Sequence, residues 1–160
     1  MKFKKIAVSV TVVFTLLAIS LYSTPHIVIS SDGGILFSHP ASEGMIFSIN
    51  FIHSVNQSSV EEFFIIRENS IFLSALEFED FGAGMPTQLE DGQVLLSLPC
   101  GRMRIEGFER PVTGLNYIVG HVADLILYIE EKHVPLSDLA PRGTVVEFGI
   151  RRKGVFNARI

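Results

Sequence analysis

The sequence contains one cysteine, Cys100, and no tryptophan among its 160 residues. A single thiol excludes an internal disulfide, and it also excludes a zinc site built from several cysteines. The five histidines stand far apart and show no His-x-x-x-His spacing. The sequence therefore predicts no metal site and no bound cofactor.

Positive charge is also scarce. The 13 Lys and Arg residues are outnumbered by 17 Asp and Glu residues, which gives a formal charge of −4. Lys2, Lys4 and Lys5 precede the first apolar run, and without them 10 basic residues face 17 acidic ones, a charge of −7. Because an acidic body repels the phosphate backbone, the sequence excludes a nucleic-acid partner.

The first 22 residues are typical of export. Residues 1–5 are basic, and residues 6–22 are apolar apart from small hydroxyl side chains. The Ala18-Ile19-Ser20 spacing favours a signal peptide cleaved after Ser20. A run of about 17 apolar residues is also close to the lower limit for a membrane-spanning helix, which favours a retained anchor. Both interpretations place the remainder of the chain outside the cytoplasm.

Beyond residue 22 the hydrophobic pattern has period two and frequent turn signals, and no long stretch keeps a helical period. This pattern predicts an all-β fold: an antiparallel sandwich or a barrel-like meander, preceded by one N-terminal apolar helix as signal or anchor. Residues 1–22 form that segment, and residues 23–160 form one extracytoplasmic β domain. The predicted strands cover residues 27–29, 35–37, 45–55, 60–66, 71–78, 94–98, 102–106, 115–122, 125–130 and 144–151. A short helical turn is expected at 136–139, and a hairpin tip at 131–133.

Residues 45–66 are predicted to form the central hairpin, with the polar run 56–59 as its loop. Side chains alternate along a strand, so the first strand presents one face that is apolar until its last member. The residues of that face are Met45, Phe47, Ile49, Phe51 and His53. With this loop Val55 opposes Val60, Phe51 opposes Phe64 and His53 opposes Glu62. The face through Phe51, with Phe64 across from it, is expected in the core.

A histidine, a hydroxyl and a carboxylate lie close together at His53, Ser54 and Glu62. A hydrolase is disfavoured, because adjacent strand residues point to opposite faces and His53 then has no access to the Ser54 proton. The sequence also lacks a Gly-x-Ser-x-Gly elbow. The pattern favours a His53–Glu62 pair that anchors the hairpin or lines a small polar pocket, with the imidazolium form stabilised.

The segment Gly82-Ala83-Gly84-Met85-Pro86 is a tight turn whose successive amides could also bind an anion. The strand 71–78 is expected to run antiparallel to 60–66, which returns this turn to the hairpin loop. We therefore expect the turn to meet His53 at one end of the sheet. The predicted functional surface consists of His53, Ser54, Glu61, Glu62, Gly82, Ala83, Gly84 and Pro86.

These residues resemble those of a small family of exported proteins, domain-of-unknown-function family 1850. The resemblance covers about residues 27–150, and it is carried by four motifs in order: His53-Ser54-Val55, Val60-Glu61-Glu62, Phe81 to Pro86, and Leu136-x-x-Leu139-Ala140-Pro141-x-Gly143. Members often have proline where this chain has Ser59, so the resemblance leaves a looser turn here. It implies association with TAXI-type tripartite ATP-independent periplasmic (TRAP) transporters, because such proteins are commonly encoded beside the fused permease.

The resemblance implies a non-enzymatic exported accessory protein of a TRAP carboxylate transporter. It would dock on the permease or on its substrate-binding protein, at the periplasmic or extracytoplasmic face of the inner membrane. The alternative is a stand-alone module that binds a carboxylate through loop amides and His53, with Arg102 or Arg104 as counter-charge. A hydrolase is the least favoured class.

Overall fold

The computed structural model describes residues 23–53, 55, 57–79, 88–99, 101–121 and 124–154. They contain eleven strands, one 3₁₀ turn at Leu136–Asp138 and no α-helix. The strands are β1 (Ser23–Ser31), β2 (Gly34–Pro40), β3 (Ile46–Ile52), β4 (Ser59–Arg67), β5 (Ser70–Phe78), β6 (Val94–Ser97), β7 (Met103–Pro111), β8 (Leu115–Ile118), β9 (Ile126–Ile129), β10 (Lys132–Pro135) and β11 (Val145–Gly154).

The all-β prediction is confirmed for the described residues, and each predicted strand corresponds to an observed one. The strand β10 was not predicted: the turn after β9 is at Glu130 and Glu131, so Lys132 and His133 belong to a strand rather than to a hairpin tip. The predicted N-terminal helix, residues 1–22, lies outside the described residues. Within the described part of the chain, no helix has the length and apolar character needed to cross a bilayer.

The strands form two antiparallel sheets that do not close on each other. One sheet has four strands in the order β2-β1-β11-β8, and the other has seven in the order β10-β9-β3-β4-β5-β7-β6. Of the two predicted architectures, this open arrangement of two packed sheets agrees with the sandwich and not with the barrel.

The main core lies between the two sheets. From the seven-stranded sheet it contains Phe47, Ile49 and Phe64, each at most 2% exposed. From the four-stranded sheet it contains Ile27, Ile29, Val146 and Phe148. Alternation along each strand explains these sets, because every second residue faces the opposite sheet. The predicted apolar face is thus confirmed at Phe47, Ile49 and Phe64, while Phe51 is only partly buried.

A second, smaller cluster extends the inner face of the seven-stranded sheet across β4, β5 and β7. Its buried members are Val60, Leu76, Phe78, Ile105 and Phe108. Phe51 and Leu73 pack against both clusters, so the two cores are continuous through these side chains.

The pairing within the central hairpin differs from the predicted one. Phe51 lies opposite Val60 and Ile49 lies opposite Glu62. The loop is closed two residues earlier than predicted, because the His53 N–H donates to the Ser58 carbonyl at 2.9 Å and the Gln57 N–H donates to the His53 carbonyl at 2.9 Å. The predicted pairs Val55–Val60, Phe51–Phe64 and His53–Glu62 are therefore wrong.

The prediction failed because a polar run does not show which of its residues turn. Ser59 begins β4, where its hydroxyl accepts a hydrogen bond from Asn50 Nδ2 at 3.0 Å, and the buried Ser58 closes the loop against His53, so neither serine lies in the turn. Each residue's partner moves by four positions. Because four is an even number, every side chain keeps its face, and the core prediction survives the wrong register.

Candidate functional site

His53 lies just beyond β3, at the position that closes the hairpin loop. Its Nδ1 accepts a long hydrogen bond from the Val55 N–H at 3.4 Å. Its neighbour across the hairpin is Ser58. Glu62 lies four residues beyond Ser58, which at the rise of a strand places it about 13 Å from Ser58 along the chain. The predicted acid–base pair of His53 and Glu62 is not formed. Ser54 lies outside the described residues.

Glu62 instead points between the sheets and accepts a hydrogen bond from the hydroxyl of Tyr117 on β8. This acid–phenol bridge, formed by Glu62 and Tyr117, joins the seven-stranded sheet to the four-stranded one. The Tyr117 ring packs edge-on against Phe148 at 5.7 Å between centroids, and 6.5 Å from Phe51. The phenol of the bridge thus packs against two aromatic rings, one from each sheet.

Burial sets the protonation chemistry of the acid–phenol bridge. Removal from water raises the pKa of Glu62, and the hydrogen bond from Tyr117 lowers it, with burial the larger effect. The pKa of Tyr117 is raised by burial and also by the charge and hydrogen bond of Glu62. Tyr117 therefore remains a protonated donor, and the bridge links a strand of one sheet to a strand of the other.

Glu61 lies on the opposite face of β4, the outer face of the seven-stranded sheet. Its Oε1 accepts a hydrogen bond from the Ser48 hydroxyl at 2.6 Å. It lies between Asn50 on β3 and Glu77 on β5. Glu61 and Glu62 were both assigned to one functional surface, but strand alternation separates them. One is on the outer face of the sheet and the other is between the sheets.

The outer face carries a charged cluster next to Glu61. Arg104 Nη1 donates to Glu77 Oε1 and Arg104 Nε donates to Glu106 Oε1, both at 2.6 Å. The guanidinium also lies 4.4 Å from the centroid of the Phe63 ring. Burial lowers the pKa of Arg104, but its bonds to Glu77 and Glu106 outweigh that effect and raise it. Arg104 is therefore already paired with two acids of its own chain.

Arg102 is placed differently. Its Nε lies 3.8 Å from Glu77 Oε2, which is an ion-pair distance but too long for a hydrogen bond. The Nε and Nη2 atoms are buried, and neither makes a hydrogen bond. These two atoms form the edge of the guanidinium that usually binds a carboxylate with two parallel bonds.

The predicted glycine-paired turn, with Gly82, Ala83, Gly84 and Pro86, lies outside the described residues. The strand that leads to it behaves as predicted: β5 runs antiparallel to β4, and Phe78 lies opposite Val60. Beyond Phe78, the Glu79 carboxylate lies 3.5 Å from the Ser59 N–H. Glu79 therefore lies beside the start of β4, next to the hairpin loop. Across the described ranges, no three His, Cys, Asp or Glu side chains are grouped to hold a metal ion.

Sequence reasoning missed an exposed apolar strand, β6. Val94, Leu95 and Leu96 are 53%, 41% and 38% exposed. This strand lies at the edge of the seven-stranded sheet, and in the described part of the chain it pairs only with β7. The strand itself was predicted, but edge position depends on which strands lie beside it, and nothing in the local pattern reports that.

The fold and these contacts define a class: a two-sheet antiparallel β domain with an acid–phenol bridge between its sheets and an exposed apolar strand, β6, at one sheet edge. Residues 47–136 match the family described as Domain of unknown function (DUF1850). That span exceeds half of the 160 residues, and the chain belongs to this family. The matched span covers the whole seven-stranded sheet except Ile46, and it includes all of β6. No curated protein and no solved structure matches the chain.

Proposed function

We propose that this protein is a non-enzymatic accessory component of a TAXI-type TRAP transporter, held at the extracytoplasmic face of the inner membrane. Its β domain docks on the permease or on the substrate-binding protein. The transporter class comes from the resemblance of the His-Ser-Val and Gly-Ala-Gly-Met-Pro motifs to the family. The structural observation that supports docking is the exposed apolar edge at Val94–Ser97.

An edge strand has one row of backbone N–H and C=O groups without a neighbour. Natural proteins protect such edges with charges, proline or a covering segment, because an apolar edge pairs readily with other chains. The strand β6 has none of these residues, and its side chains are exposed on both faces. A strand of the transporter component fits here by β-augmentation, with backbone hydrogen bonds for affinity and the leucines for specificity.

The residues beside this edge limit what the added strand presents. On the outer face, Leu96 lies opposite Arg104 and Val94 lies opposite Glu106. Arg104 and Glu106 are bonded to each other, so their charges are locally balanced. A partner segment with apolar side chains at alternating positions satisfies both the edge and its neutral surroundings.

Replacing both Leu95 and Leu96 by lysine is expected to abolish recovery of the transporter component. An unpaired charge in a packed interface costs well over 1.4 kcal/mol, so affinity should fall by more than about tenfold. The measurement is cross-linking of the tagged full-length chain in intact membranes, followed by identification of the captured proteins.

The matched control replaces Val145 and Ile118 by lysine. These residues are 54% and 60% exposed and lie opposite each other on the four-stranded sheet. The control should capture the transporter component as the wild type does, and both variants should melt near the wild-type temperature. The proposal is wrong if the wild type captures no transporter component, or if both variants lose it equally.

One observation favours the alternative, a carboxylate-binding module. The Nε and Nη2 atoms of Arg102 lack hydrogen-bond partners. A ligand carboxylate at this position would, however, compete with Glu77, which lies 3.8 Å away. Arg104 is less available still, because Glu77 and Glu106 hold it at 2.6 Å. We therefore rank this function second.

A ligand that binds the folded state raises the melting temperature. Because Glu77 and Glu106 already occupy the arginines, we expect millimolar succinate to leave the melting temperature of the full chain unchanged. The measurement is a thermal melt with and without the dicarboxylate. Stabilisation that is lost in Arg102→Gln but kept in the exposed control Arg67→Gln would instead favour the binding module.

A further inference from the structure

The strands β1 and β11 extend beyond their neighbours as a two-stranded ribbon. Their pairing runs as far as Ser23 opposite Gly154. On one side, β2 ends with Pro40 opposite His26, and on the other, β8 pairs only as far as Phe148. In the described part of the chain, the last residues of the ribbon, 23–24 and 152–154, therefore pair with no third strand, while the Pro25 carbonyl accepts a hydrogen bond from the Ala41 N–H at 2.9 Å.

The end of this ribbon carries concentrated positive charge. Thr24 lies opposite Lys153, Pro25 opposite Arg152 and His26 opposite Arg151. Outside the first five residues the chain has 10 basic and 17 acidic residues, and three of the basic ones are consecutive on this strand. Successive residues of a strand face opposite ways, so Arg151 and Arg152 place charge on both faces of the ribbon.

Arg151 and Arg152 are both exposed. In the described ranges, neither arginine forms an ion pair, whereas Arg104 and Arg110 are each bonded to glutamates. Arg151 and Arg152 thus form an accessible basic surface with no acidic partner among the described residues, on a protein whose net charge is negative.

The place of this surface in the chain indicates its partner. The apolar run 6–22 ends immediately before Ser23. Because cross-strand Cα atoms lie about 5 Å apart in an antiparallel pair, residues 152–154 lie directly beside the residues that follow this run. We propose that the ribbon end binds the anionic headgroups of membrane phospholipids through Arg151 and Arg152. This inference rests on the proposed location at the membrane, but it does not depend on any transporter component.

Two electrostatic effects act together at such a surface. Each basic residue near an anionic bilayer contributes roughly a fivefold gain in affinity, and the effect decays within a Debye length of about 8–10 Å. The acidic remainder of the domain is repelled by the same surface. Attraction at the ribbon end and repulsion elsewhere orient the domain with β1 and β11 toward the bilayer.

The test uses the full chain in nonionic detergent micelles, titrated separately with phosphatidylglycerol and with phosphatidylcholine. Bound lipid is counted by native mass spectrometry. Wild-type protein should bind phosphatidylglycerol in preference to phosphatidylcholine. The double variant Arg151→Gln and Arg152→Gln should lower phosphatidylglycerol affinity by roughly 25-fold, at about fivefold per charge.

The matched control, Arg67→Gln with Lys132→Gln, removes the same charge from two exposed sites on the seven-stranded sheet. It should change the affinity by no more than about twofold, since these sites are not on the ribbon. Equal binding of the two lipids by the wild type overturns the inference. A phosphatidylglycerol preference that survives in the double variant also overturns it. Because no transporter component is present, neither result bears on the docking proposal.

Discussion

Replacing Phe47 by alanine is expected to lower the free energy of unfolding by about 3–5 kcal/mol, the usual cost of removing a buried phenylalanine. Phe47 is 1% exposed. Its ring stacks on Phe64 within its own sheet at 5.2 Å and on Phe148 of the opposite sheet at 6.4 Å. The truncation therefore opens a cavity at the contact between the two sheets. Chemical denaturation of the purified protein measures the loss.

The matched control for this prediction is Ile46→Ala. Ile46 is adjacent in β3, but it points to the outer face and is 56% exposed. Its truncation should change the free energy of unfolding by no more than about 0.5 kcal/mol. Equal losses for the two variants would show that the faces of β3 had been assigned wrongly.

The second large effect concerns the pH dependence of stability at Glu62. Its pKa in the folded protein is raised above the ordinary value of 4.5, chiefly by burial, although the bond from Tyr117 opposes that effect. At pH below 4.5 the carboxyl is protonated in both states, and its stabilising contribution is complete. As the pH rises above 4.5 the unfolded chain loses its proton first, so this contribution is lost progressively until the folded-state pKa has been passed.

The variant Glu62→Gln should remove this part of the pH dependence, since glutamine keeps an oxygen for the Tyr117 hydroxyl but cannot ionise. Denaturation curves at a series of pH values above 4.5 measure the difference between wild type and variant. The control Glu61→Gln removes the neighbouring charge on the outer face and should leave the contribution of Glu62 in place. A wild type and a Glu62→Gln variant with identical pH profiles would contradict the assignment.

Local patterns account for the parts of the fold that could be predicted. Alternation in β3 and β4 assigned the buried faces, because side-chain direction depends only on the parity of a residue within its strand. The turn at Asp32 and Gly33 was also predictable, because an Asp-Gly pair favours the positive φ angles that a tight hairpin turn requires. The observed φ angles are 48° and 80°.

The pairing of those faces could not be predicted in the same way. The run Asn56-Gln57-Ser58-Ser59 is polar throughout, and a loop at either end of it leaves the same faces buried. What decides is the set of hydrogen bonds that close the loop at His53 and Ser58. Because the true register places Glu62 opposite Ile49, Glu62 does not face His53, and the predicted acid–base pair does not form.

The acid–phenol bridge was inaccessible for another reason. Alternation from Leu115 places Tyr117 on the buried face of β8, so a buried phenol was a signal in the sequence. Its partner, however, is 55 residues away on the other sheet. Sheet order is a non-local property, and it also determines that β6 lies at an edge. Only Glu61, Glu62 and His53 of the predicted functional surface lie within the described residues, and they are in three different environments.

The pairing of β1 with β11 also has a consequence for the order of folding. The first and last described strands are neighbours, so β1 gains one of its two partners only after nearly all of the chain is available. Contacts between such distant segments form slowly, because a long loop must close before they stabilise anything. Until β11 arrives, β8 has no partner strand, and the four-stranded sheet cannot assemble.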